Sequence, residues 1–85
     1  MKRNFRLAFN ALKKLGVPVY ERDDMDGRFQ ISGEDPESYK WCDYYAYNRP
    51  GWDFGVNPQL EGNLAKYGLY SEWINPGELG VYSLR

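Results

Sequence analysis

Apolar residues open the chain at Phe5, Ala8, Phe9, Leu12 and Leu15, spacings of three, one, three and three that gather on one stripe of a helix. Arg3, Arg6, Asn10, Lys13 and Lys14 fall largely outside that stripe. The pattern predicts an amphipathic helix from Asn4 to Leu15 that docks its stripe on a core. Asn4 suits the N-cap, Lys13 and Lys14 sit where the helix dipole favours cations, and Gly16 with Pro18 supplies the stop.

The next apolar runs are short and punctuated by turn residues. Val17 to Arg22 and Arg28 to Ser32 read as strands joined through Asp23-Asp24-Met25-Asp26-Gly27, whose Asp-Gly favours a tight hairpin. The following segment carries two signals. Asp35-Pro36-Glu37 is a good helix start, while Tyr39, Trp41, Tyr45 and Tyr47 alternate as in a strand. The aromatic density favours a strand over Tyr39 to Tyr47, turned by Asn48-Arg49-Pro50-Gly51 and paired with Trp52 to Val56. Asn57 then caps a second helix with Pro58 at its first position and Leu60, Leu64 and Tyr67 along one side; Gly62 weakens its middle and Gly68 ends it. A last hairpin, Leu69 to Ile74 and Leu79 to Leu84, is turned by Asn75-Pro76-Gly77-Glu78. The order α-β-β-β-β-α-β-β predicts an α+β fold, an antiparallel β-sheet with two short helices packed on one face.

Composition narrows this picture. A chain of 85 residues, 42% apolar and 18% aromatic, has material for one core, so residues 1–85 read as a single α+β domain. The lone Cys42 cannot close an intrachain disulfide, which favours a reducing compartment. Leu7-Ala8-Phe9 is far too short for a signal-peptide core or a membrane span, so a soluble, cytoplasmic protein without membrane contact is expected. The net charge of -1 hides a segregation of signs. Residues 1–20 carry Lys2, Arg3, Arg6, Lys13 and Lys14 and no acid, whereas residues 21–38 carry seven acids against Arg22 and Arg28. Two solvated faces explain this, and so does a basic or an acidic docking surface.

The residues for most reaction chemistry are missing. There is no histidine, which removes Ser-His-Asp and Cys-His constellations and every histidine-containing zinc site; a single cysteine removes thiolate clusters. Asp24, Asp26 and Gly27 resemble the opening of a calcium loop, but the register puts Arg22 at its first position and Gly33 at its twelfth. Gly77-Glu78-Leu79-Gly80 has the outline of a GxxG phosphate clamp with an acid where phosphate would lie. Asp43 and Asp53, each set among aromatics, are the one acid pair with an apolar setting. Cys42 reads as a small buried hydrophobe. No catalytic residue, metal ligand or cofactor is assigned.

What remains is ring surface. Tyr39 to Phe54 holds two of the three tryptophans, and two short helices cannot hide fifteen aromatics. The expected contact residues are Tyr39, Trp41, Tyr45, Tyr47, Arg49, Trp52 and Trp73, types that dominate protein-binding hot spots. A protein partner, or a second copy in a homodimer, fits this reading; an aromatic-rich core fits the same residues. The alternative function is nucleic-acid binding, with Arg3, Arg6, Lys13 and Lys14 on phosphates and the central rings on bases. From Asn57-Pro58 onward, and most clearly in Leu69 to Gly80, LYSEWINPGELG, the chain resembles small phage-encoded accessory proteins. That resemblance implies a partner in an infected cell, a host enzyme or a virion component, and a location in host cytoplasm.

Overall fold

The computed structural model describes residues 1–21, 27–46 and 49–84. Helix α1 spans Arg3–Leu15 and buries Phe5, Ala8, Phe9 and Leu12. Leu15, expected on the same stripe, is 42% exposed at the helix end. The N-cap position belongs to Lys2, whose side chain makes no capping bond. Asn4 lies inside the first turn instead, and its Nδ2 donates to the Tyr67 carbonyl at 3.1 Å. A side chain expected to satisfy its own helix thus ties α1 to the far end of the second helix. Gly16 closes α1 in the left-handed region (φ 91°). Its N–H donates to Lys13 O and that of Val17 to Leu12 O, which satisfies two terminal carbonyls.

Strands β1 (Val19–Glu21) and β2 (Phe29–Ser32) pair antiparallel, as their patterns predict, with Tyr20 opposite Gln30. Asp23, Asp24 and Asp26 of their connection lie outside the described residues; Gly27 has φ 83°. Helix α2 covers Pro58–Ala65, and Asn57 Oδ1 accepts from Gln59 N at 2.9 Å, the cap that Asn-Pro signals. Strands β3 (Leu69–Asn75) and β4 (Glu78–Ser83) form the last hairpin, with Gly77 N donating to Asn75 Oδ1 in its turn. The sheet order is β1-β2-β4-β3, antiparallel throughout, so β1 and β3 are the edges.

Alternation along the strands sends Phe29, Ile31, Leu69, Leu79 and Val81 into one core with the α1 stripe and with Leu60 and Leu64 of α2. Phe5 and Phe9 meet the Phe29 ring edge-on, at centroid distances of 6.3 and 5.4 Å. The fold is α+β, an antiparallel four-stranded sheet with two helices.

The long excursion between β2 and α2 departs from expectation. Tyr39 to Tyr47 is not a strand: Pro36–Lys40 and Tyr44–Ala46 are short 3₁₀ helices. The helix start at Asp35-Pro36 prevails because Ser38 supports it locally. Buried Ser38 accepts from Asp35 N at 3.1 Å and donates to the Ser32 carbonyl at 2.6 Å, bonds that compete with a strand ladder. Among the described residues, the expected pairing with Trp52 to Val56 reduces to a bridge between Cys42 and Val56, with Asp43 N donating to Gly55 O at 2.8 Å. The turn before Trp52 does form, with Trp52 N donating to Arg49 O, although Asn48 lies outside the described residues. Asn57 anchors the segment from the other side: its N–H donates to Trp41 O and its Nδ2 to Lys40 O. No helix among the described residues is long and apolar enough to cross a membrane.

Candidate functional site

The 3₁₀ geometry sorts the expected contact residues. Trp41 turns inward, is 6% exposed and joins the core beside the fully buried Cys42, so it is not a surface residue. The excess of aromatics over what two short helices can cover does not say which ring is hidden, and the 3₁₀ turn at Pro36–Lys40 hides this one. Tyr39 and Tyr45 are 54% and 81% exposed. Arg49 is exposed and stacks its guanidinium over half-buried Trp52 at 4.3 Å from the ring centroid. Tyr47 lies outside the described residues.

Tyr45 meets Tyr44 edge-on at 5.4 Å, and Tyr44 meets Trp73 of β3 at 5.5 Å. Trp73 Nε1 then donates to the Phe54 carbonyl at 2.7 Å. Tyr45, Tyr44 and Trp73 therefore form a chain of ring contacts, which the indole hydrogen bond ties to the backbone of Phe54.

Phe54, which the sequence reading left out, stands at the tip of a two-residue turn. Asp53 and Val56 exchange backbone hydrogen bonds of 3.2 and 2.9 Å across Phe54-Gly55. Both central residues have positive φ, 51° and 79°. A turn of this kind matches strand twist, and glycine or asparagine usually occupies it. A phenylalanine at positive φ is strained by about 1–2 kcal/mol, yet its ring is 79% exposed and buries little in return. The adjacent Gly55 is obligatory, because a Cβ there would fall 2.2 Å from the Asp43 carbonyl oxygen.

Behind this turn a cleft of about 470 Å³ opens between the 53–56 segment, α2 and β3. Val56, Leu79 and Trp73 line its apolar part. Glu61 of α2 also lines it and accepts from Ser71 N at 3.1 Å and from Ser71 Oγ. The outward amide of an edge strand is thereby covered by a side chain. Glu61 and Ser71 were invisible to the sequence reading, since their meeting depends on how α2 lies on β3.

The acid pair does not assemble. Asp43 Oδ1 accepts from Tyr45 N at 3.1 Å, while Asp53 lines the cleft and Asp43 does not. Among the described residues no group of three histidine, cysteine, aspartate or glutamate side chains could hold a metal ion. Burial and, secondarily, the neighbouring Asp43 push the Cys42 thiol up to about 12, which leaves it protonated and unreactive.

The basic residues of α1 sit elsewhere. Arg6 pairs with Glu21 on β1 at 3.5 Å, and Lys13 lies over the Phe9 ring at 5.8 Å. Arg3 and Lys14 are exposed. Glu21, the partner of Arg6, is on edge strand β1 and Trp73 on the opposite edge strand β3, three strand spacings or roughly 14 Å between backbones.

No family model, curated protein or solved structure matches the chain. The reading of the site therefore stands on its geometry.

Proposed function

We propose that this protein is a non-enzymatic binding module that docks on another protein through the chain Tyr45, Tyr44, Trp73 and Phe54 and the cleft behind it. The observation that carries this reading is Phe54: a bulky ring held at φ 51°, with its carbonyl fixed by Trp73, and 79% exposed. Folding alone gives no reason to keep a large apolar side chain where it is both strained and wet. A partner that covers the ring does. Aromatic residues on rigid supports are the usual anchors of such interfaces.

The phosphate-binding alternative draws less support. Arg6 is paired with Glu21, and the acids of the cleft beside the exposed rings, Asp53 and Glu61, repel a polyanion. The phage-like stretch Leu69 to Gly80 contributes half-buried Trp73 to this surface, which suits a partner inside an infected cell.

The test is capture of a partner by the tagged protein, compared among variants whose circular dichroism is unchanged. Phe54→Ser with Tyr45→Ser should abolish capture, while Arg3→Glu with Lys14→Glu should leave it intact. If the partner is a second copy, sedimentation equilibrium will show a dimer that the first double variant converts to monomer. Capture that survives the loss of both rings but fails with the charge reversals would replace this reading with the basic-helix one.

A further inference from the structure

We propose that the cleft behind Phe54 receives a lysine or arginine side chain of the docking partner, an inference that rests on the protein-binding reading above. The volume, about 470 Å³, is within the range of small-ligand sites and holds one long side chain with room for water. Its lining is of two kinds. The Trp73 ring, over buried Val56 and Leu79, offers an apolar wall, and the carboxylates on this side of the sheet are Asp53 and Glu61; Glu72, opposite Gly80, alternates onto the other sheet face.

That combination selects among occupants. A phosphate or carboxylate meets two like charges. A purely aliphatic side chain gains the apolar wall but strips water from carboxylates without pairing them. Lysine and arginine alone combine an apolar stem with a cationic head, and the head can also lie against the indole of Trp73.

Glu61 adds a constraint on how the occupant enters. Its carboxylate is held by the Ser71 amide and hydroxyl, so one acid of the cleft is fixed in advance of binding. The same contact occupies the outward N–H of Ser71 on edge strand β3, which blocks strand addition at that point. The partner thus inserts a side chain rather than extending the sheet.

The experiment titrates the full, nitrogen-15-labelled protein with blocked peptides, acetyl-Gly-Gly-Xaa-Gly-Gly-amide, in which Xaa is arginine, its neutral isostere citrulline, or norleucine. The Trp73 indole and Ser71 amide resonances report on the cleft. The arginine peptide should move both saturably, at least about tenfold more tightly than the citrulline or norleucine peptides, and more weakly as salt is added. Asp53→Asn, at an exposed position, should weaken the arginine peptide severalfold without changing the urea midpoint, and Glu72→Gln, on the other sheet face, should leave its binding unchanged. Equal binding of all three peptides, or no shift at either resonance with any of them, overturns the cation assignment. Partner capture that still depends on Phe54 and Tyr45 would in that case leave the docking surface standing, so the two readings fail separately.

Discussion

The indole N–H of Trp73 donates to the backbone carbonyl of Phe54 across 19 residues of sequence, and this one bond joins edge strand β3 to the tip of the 53–56 turn. Trp73 is well placed for it: its ring packs partly on the core and touches Tyr44, so its donor is held in a defined position. Phe54 is presented by its turn, whose positive φ angles aim the carbonyl outward from the exchanged bonds of Asp53 and Val56.

Trp73→Phe keeps a ring and removes the donor. The lost hydrogen bond and reduced packing should cost about 1–2 kcal/mol in urea unfolding. The same change should weaken partner capture more than its stability cost explains, because the Phe54 turn loses its tether. Unchanged capture with the full loss of stability would assign Trp73 to folding alone.

Phe54→Asn should do the opposite to stability. Asparagine tolerates positive φ, so removal of the strained ring should stabilise the fold by about 0.5–1 kcal/mol and raise Tm by about 4 °C. Capture should fall. A gain of stability with a loss of binding is what a strained contact residue gives; a loss of stability would show that the ring supports the fold.

Much of this architecture is legible from local signals. The α1 stripe, the Asn57-Pro58 cap and the Asn75-Pro76-Gly77 turn each specify a conformation within a few residues, and the helices and the last hairpin follow, as does the pairing of β1 with β2 from their apolar runs. The 36–46 segment resists such reading because two local programmes compete there. Aromatic alternation suggests a strand, but the Ser38 hydroxyl can bond Asp35 N and Ser32 O together only in the 3₁₀ turn, and the second Ser32 partner lies outside any short window. That outcome sends Trp41 inward and leaves Tyr45 outside. Residue type alone singles out Tyr45 and Trp73, which the structure leaves exposed and half-buried respectively. Phe54 was hidden by the strand assigned to it, although a Phe-Gly pair just after Pro50-Gly51 carried a turn signal. Glu61 and Ser71 had no sequence signal, since nothing short of the packing of α2 on β3 brings them together.

Two glycines with nearly equal φ should respond differently to alanine. Gly55 (φ 79°) has the Asp43 carbonyl oxygen 2.2 Å from where a Cβ would stand, while Gly51 (φ 82°) has nothing within 4 Å. Gly51→Ala should cost only the left-handed conformation, about 1 kcal/mol. Gly55→Ala adds a backbone collision, threatens the Asp43 N to Gly55 O bond, and should cost about 3 kcal/mol or more. Chemical denaturation of the pair separates backbone conformation from close approach; equal losses would mean that the 43–55 contact yields easily.

Cys42 provides a pH test of the core. In the folded protein burial pushes its thiol from 9.0 up to about 12, whereas in the unfolded chain it titrates near its ordinary value. Below about pH 9 both states hold the proton and Cys42 adds no pH dependence. Above that, the unfolded chain releases a proton that the folded protein keeps, so stability falls with rising pH, at a limiting slope of about 1.4 kcal/mol per pH unit. The measurement is the difference between the native protein and Cys42→Ala, which isolates the thiol. The two denaturation curves should run parallel below about pH 9, with the alanine variant less stable by a constant amount, and should converge above it. Iodoacetamide should modify Cys42 only as fast as the protein unfolds; rapid modification under native conditions, or curves that stay parallel at high pH, would place the thiol in contact with solvent.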